Sequence, residues 1–221
     1  MKQSLRYLNY ILVLIGILIP TIVKADKWPQ PKVETYYSKN TEYKLIVTPK
    51  LVPHKYSRYS YKSRKHPKSK RFLFKKEELE QKITPCIAKL YKGGETEGIL
   101  IWEKTLLNDI CPVYAIVAND GSSVATLDNW GSMGYGINVF VIYNENGEVK
   151  KSYELKEISP FSLSDYLTSK LSIRWCKHRE VIFIDNERIK IVFETKQNIQ
   201  SSRVYNVKSL EFEDKIPNMQ N

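Results

Sequence analysis

The chain has 221 residues, with 35 Lys and Arg against 24 Asp and Glu, a formal charge of +11. That length is ample for one domain with a full core. The three cysteines, Cys86, Cys111 and Cys176, show no C-x-x-C spacing, which argues against the usual cysteine metal motifs, and no stretch after residue 25 is apolar enough to cross a bilayer as a helix.

The N-terminus reads as a secretory leader. Lys2 and Arg6 precede an apolar run from Ile11 to Ile19, Pro20 ends it, and Val23-Lys24-Ala25 offers small or branched residues where a signal peptidase reads. A spanning helix needs about 20 apolar residues, and this run is shorter. The expectation is cleavage after Ala25, a mature chain beginning at Asp26, and an exported protein, periplasmic or extracellular. Residues 26–221 are then one β-rich domain.

Residues 26–42 are polar, with Pro29 and Pro31, and are expected to form an extended lead-in. Tyr43–Thr48 alternates around Leu45 and Val47 as a strand does. Segment 50–76 holds eleven basic residues and no acid, with prolines, serines and three tyrosines but no helical or strand period. That composition predicts a mobile basic insert. Outside it and the leader, 21 basic residues stand against 24 acidic, so the body is nearly neutral. Arg58, Lys62, Arg64, Lys65, Lys68, Lys70 and Arg71 are the candidate contacts for a polyanion or an anionic membrane surface.

From Cys86 onward the pattern is that of strands. Ile87–Tyr91 and Gly98–Glu103 flank a Gly-Gly turn. Val113–Ala118 is apolar on both faces, as a covered central strand is. Asn119-Asp120-Gly121 turns the chain into Ser123–Leu127, since Gly accepts a positive φ. Val139–Tyr143 and Val149–Leu155 form a second hairpin, Val181–Ile184 and Arg188–Phe193 a third, and Val204–Phe212 a last strand. One short helix is expected where Ser162 and Asp165 make a capping box and Leu163, Tyr166, Leu167 and Leu171 share a face. The fold class is mainly β, an antiparallel meander of consecutive hairpins, as a sandwich or an open twisted sheet, with one short helix. The hairpins suggest propeller blades, but no period of about 40 repeats the same residues.

The stretch Asp128-Asn129-Trp130-Gly131-Ser132-Met133-Gly134-Tyr135-Gly136 joins the first two of these hairpins. Asp128, Asn129, Trp130 and Tyr135 are the candidate binding residues: two rings to stack and two polar groups for directional hydrogen bonds. The opposing account is that Asp128 and Asn129 cap turns and Trp130 plugs the core. Nucleophilic chemistry has little to stand on. His178 lies two residues from Cys176, which on a strand would put both on one face, with no third group nearby in sequence to orient them. Asp120, Asp128, Asp185 and Glu187 lie on different turns. Elbow, phosphate-loop and H-E-x-x-H motifs are missing. The residues point to no cofactor.

Trp102-Glu103-Lys104-Thr105-Leu106-Leu107-Asn108, Pro112-Val113, Asn119-Asp120-Gly121 and Thr126-Leu127-Asp128-Asn129-Trp130-Gly131-Ser132-Met133-Gly134-Tyr135-Gly136 resemble a family of uncharacterised secreted bacterial proteins with a T-x-D-N-W-x-x-x-G-Y-G segment. The likeness spans roughly Lys89 to Leu155. It implies export and brings no activity and no catalytic residues. The functional expectation is an exported, non-catalytic binding or structural β-domain. The alternatives are a polyanion or membrane-surface binder acting through 50–76, or a hydrolase with a carboxylate or Cys–His site.

Overall fold

The computed structural model describes residues 28–51, 83–93 and 98–213. The leader 1–25 and the seven basic contact candidates from Arg58 to Arg71 lie outside them. Within the described residues the protein is mainly β, with fourteen strands in four antiparallel sheets and one α-helix.

The first sheet is a meander of β1 (Glu34–Tyr37), β2 (Tyr43–Thr48), β3 (Ile87–Lys92) and β4 (Ile99–Thr105). The second follows in the same way with β5 (Pro112–Val117), β6 (Val124–Asn129), β7 (Phe140–Tyr143) and β8 (Val149–Tyr153). After the helix α1 (Leu155–Ile158) comes a two-stranded hairpin of β9 (Leu167–Thr168) and β10 (Ile173–Arg174). The third meander is β11 (Ile182–Phe183), β12 (Arg188–Glu194), β13 (Gln200–Asn206) and β14 (Glu211–Phe212). The opening strand of the middle sheet, β5, adjoins both β1 of the first sheet and β11 of the third. What repeats among them is alternation and turn chemistry rather than residue identity, which is why no sequence period announces them.

The middle sheet has two buried faces. Ala115, Val117, Val124, Val141 and Tyr143 pack against Leu45, Val47, Leu90 and Trp102 of the first sheet. Their strand neighbours Ile116, Ala125, Leu127, Phe140 and Ile142 pack against Ile189, Ile191, Phe193 and Tyr205 of the third. The apolar-on-both-faces pattern of 113–118 therefore marks a true central strand. Each buried Leu, Ile or Phe contributes about 1.5–3 kcal/mol from removal of its side chain from water.

Because the first two sheets are meanders, their turns fall at two opposite ends. One end is polar: turns 38–42, 119–122 and 144–147 hold Asn, Asp, Ser, Thr, Glu, Lys and Gly. Asn40 of the first donates its Nδ2 to the Asn119 carbonyl of the second at 2.9 Å. At Gly121, φ is +72° and a Cβ would fall 2.3 Å from the Tyr43 ring, so only glycine closes that hairpin. The other end holds the β2–β3, β4–β5 and β6–β7 connections and is described below as the connection end.

Three expectations need correction. The lead-in contains a strand: β1 pairs with β2 from Glu34–Val47 to Tyr37–Lys44. It is an edge strand with only one alternating half-buried face, Glu34 and Tyr36, so its apolar signal is weak. The helix anticipated after Ser162 is a single 3-10 turn, Leu163–Asp165. Its capping box forms, but Tyr166 is extended at φ −84°, ψ 157° and is buried with its hydroxyl 2.5 Å from Ser159 Oγ. Burial of that ring outweighs continuation of the helix, and Leu163, Leu167 and Leu171 are left exposed. The one α-helix among the described residues is α1, closed by a box between Glu154 and Glu157. Finally, the last strand divides: β13 begins at Gln200, and a turn with Leu210 at φ +60° separates it from β14.

Candidate functional site

Asp128 sits near the end of β6 and is fully buried, with φ +60°. That left-handed conformation turns the chain out of the strand, and Asp tolerates it better than most residues. The turn sends the carboxylate inward. Oδ1 accepts the Gly134 amide at 2.6 Å. The Trp175 indole Nε1–H, itself in the core, donates to both oxygens, at 2.9 and 3.1 Å. His178 Nε2 donates to Oδ2 at 2.6 Å, with its side chain only 16% exposed. Loop, third-sheet approach and core are thus tied to one carboxylate.

Beside it runs a second buried network. Asn108 donates its Nδ2 to the Asp128 carbonyl at 2.8 Å and to Asn129 Oδ1 at 3.2 Å, and accepts from Thr126 Oγ1 at 2.8 Å. Asn138 Nδ2 in turn donates to the Leu107 carbonyl at 2.9 Å. The β4–β5 and β6–β7 connections are therefore one polar-stitched unit.

The loop after Asp128 is held rather than free. Ser132 N bonds the Asn129 carbonyl, Tyr135 N bonds the Ser132 carbonyl, and Ile173 N bonds the Met133 carbonyl at 2.8 Å. Gly134, at φ +74°, presses so closely on Ile173 that a Cβ would lie 2.7 Å from Ile173 Cβ. Of the four candidate binding residues, Asp128 presents nothing to solvent. Asn129 is half-buried in the Asn108 network. Trp130 is half-buried against the first core, its Nε1 donating to the Pro29 carbonyl at 3.0 Å and its ring edge-on to Trp28 at 5.2 Å. Tyr135 is exposed and donates its hydroxyl to the Ser169 carbonyl at 2.9 Å. Trp130 and Tyr135 therefore share the connection end with the N-terminal segment and the β9–β10 hairpin. The basic insert is rooted there too: Leu51 and Thr84 exchange two backbone hydrogen bonds, and Lys50 Nζ reaches Asp109 Oδ1 at 2.6 Å.

His178 opens a 3-10 turn, so it does not continue a strand from Cys176. The third group that the sequence lacks nearby is Asp128. Yet the neighbouring thiol is unsuited to attack: burial, with the Asp128 carboxylate behind it, pushes Cys176 well up and holds it protonated. Of the carboxylates, Asp185 is occupied in its own turn, bonded to the Glu187 and Arg188 amides and to Arg188 Nε. Asp120 caps its turn through the Ser122 amide. Among the described residues no group of three or more His, Cys, Asp or Glu is gathered as a metal would need. Sequence reasoning missed Asn108, Thr126 and Trp175. A positive φ at Asp128 is foreshadowed only by the glycines that follow it.

Comparison of the chain with protein-family models, with curated proteins and with solved structures found no match.

Proposed function

We propose that this is an exported, non-catalytic β-domain that works by binding or as a structural module, with the connection end as its contact surface. The observation that carries the reading is the use made of the Asp128–His178 pair. An Asp–His pair can orient a general base. Here the same carboxylate also takes the Trp175 and Gly134 N–H groups, and the adjacent thiol is protonated, so the pair supports a loop rather than a reaction. The basic start, apolar run and Val23-Lys24-Ala25 end of the N-terminus support export. The test is a survey of ester, peptide, phosphoester and glycoside hydrolysis with the mature chain. We expect no turnover above buffer. Turnover that disappears in His178→Ala would replace this reading with the hydrolase.

A second reading, polyanion binding, is favoured by eleven cations without an acid in 50–76 and by the closed Leu51–Thr84 neck at its root. Deletion of 53–72 should abolish salt-sensitive retention on heparin and leave the body folded, since the neck closes without the insert. Each lost phosphate-like contact should flatten the salt slope by about one unit. Retention unchanged by the deletion would end this reading.

A further inference from the structure

A sheet edge is a row of unpaired backbone N–H and C=O groups that can take another strand. Three of the six edges of the meanders, β1, β5 and β11, lie against a neighbouring sheet. The other three are β4, β8 and β14. β14 is only two residues long. β8 sets Lys150 and Lys151 side by side, and lysines on an edge keep a further strand from adding.

β4 has neither safeguard. It runs for seven residues without a proline, and among the described residues it pairs with β3 alone. Its first three residues, Ile99, Leu100 and Ile101, are 76, 46 and 42% exposed. They are exposed in succession because the register shifts: Leu90 faces Trp102 and Tyr91 faces Leu100, which leaves Ile101 as an extra residue of β4. A bulge can turn an edge away from partners, but this one presents two aliphatic side chains together instead of a charge. The charged residues of β4 fall in its second half, where Glu103 is already paired within the sheet to Lys89 at 3.0 Å.

The same residues select the occupant. Free backbone groups along an edge call for an extended strand, and Ile99-Leu100-Ile101 reads alike in both directions. Antiparallel pairing with a second copy about Leu100 sets Ile99 against the partner's Ile101, and Leu100 against the partner's Leu100. All the facing side chains of this segment are then aliphatic. Centring the pair on Trp102 instead would set Leu100 against the partner's Lys104 and Ile101 against the partner's Glu103, so the aliphatic register is the favoured one. Each copy brings one such edge, so the contact is two-fold and closes at a dimer.

We propose that β4 is a dimerisation edge, at which two copies of this chain pair antiparallel about Leu100 and join their first sheets into one. The contact is short, so the dimer should be reversible and dependent on concentration. It lies apart from the connection end and does not depend on what that end binds.

The experiment is sedimentation equilibrium of the mature chain across a dilution series. We expect a monomer–dimer equilibrium. Leu100→Glu and Leu100→Lys each set like charges opposite one another across the two-fold, and each should be monomeric. An equimolar mixture of the two should recover the dimer, because opposite charges then face. Ile182→Lys, exposed on β11, should associate as the parent does. Should a Leu100 variant lower the melting temperature, Ile99→Lys, at a more exposed position of the same edge, should still abolish the dimer in a folded chain. A parent that is monomeric throughout, whatever other strand it accepts, overturns the proposal. So does a species larger than a dimer, a dimer that survives both charges, or a mixture that fails to restore it.

Discussion

His178 reaches Asp128 across fifty residues of chain, its Nε2 2.6 Å from the buried Oδ2. The carboxylate also holds Trp175 Nε1 and the Gly134 amide, so removal of its charge strands three donors at once. Asp128→Asn should cost about 1–3 kcal/mol, because its amide offers a donor where donors already point. Asp128→Ala should cost about 3–5 kcal/mol, the range for breaking a buried pair. Urea unfolding of both beside the parent checks this. An Asn variant as stable as the parent would show that the carboxylate is no tie.

Two glycines of the same loop separate backbone strain from crowding. Gly131 is at φ +81° with open space where a Cβ would go, and Gly134 is at φ +74° with Ile173 Cβ at 2.7 Å. Gly131→Ala should cost about 1–2 kcal/mol for the left-handed backbone alone. Gly134→Ala should cost a further ~1–3 kcal/mol, since Ile173 must shift. Equal losses in thermal unfolding would show that the loop moves away from the β10 strand without cost.

Trp130 lies between a plug and a free surface. Trp130→Ala should destabilise by about 1–3 kcal/mol, less than a fully buried tryptophan. Its edge-on contact with Trp28 should appear as a coupling of about 0.5–1.5 kcal/mol in the cycle with Trp28→Ala. Additive losses would mean that the N-terminal segment does not dock there in solution.

Alkaline pH should unfold the protein earlier than neutral pH. Burial raises the Cys86 and Cys111 thiols from 9.0 to about 12, and the Tyr143 and Tyr166 hydroxyls from 10.0 to about 12. Between those values the unfolded chain releases protons that the folded chain keeps, so stability is full below about pH 9 and is lost as pH rises towards 12. Urea midpoints from pH 7 to 11 should be flat and then fall, and the fall should be shallower in Cys86→Ala and Cys111→Ala. Native thiols should also react slowly with a disulfide reagent at pH 8 and quickly once unfolded. A midpoint that is level to pH 11 contradicts the burial of these groups.

Local pattern was enough for much of the body. Tyr43–Thr48 is a strand because Leu45 and Val47 alternate with polar neighbours, Asp120-Gly121 closes a hairpin because glycine accepts φ +72°, and 113–118 is central because both faces are apolar. These signals depend on residues within a turn or a strand of each other. The tie at Asp128 does not. Its partners Trp175 and His178 are 47 and 50 residues away and meet it only because the third sheet stacks on the second. Nor does the exposure of Leu107, Ile137 and Leu167 show in the sequence, where they look like any core residues. Whether such a side chain is buried or presented depends on which end of which sheet its connection closes, and stacking of the three meanders alone decides that.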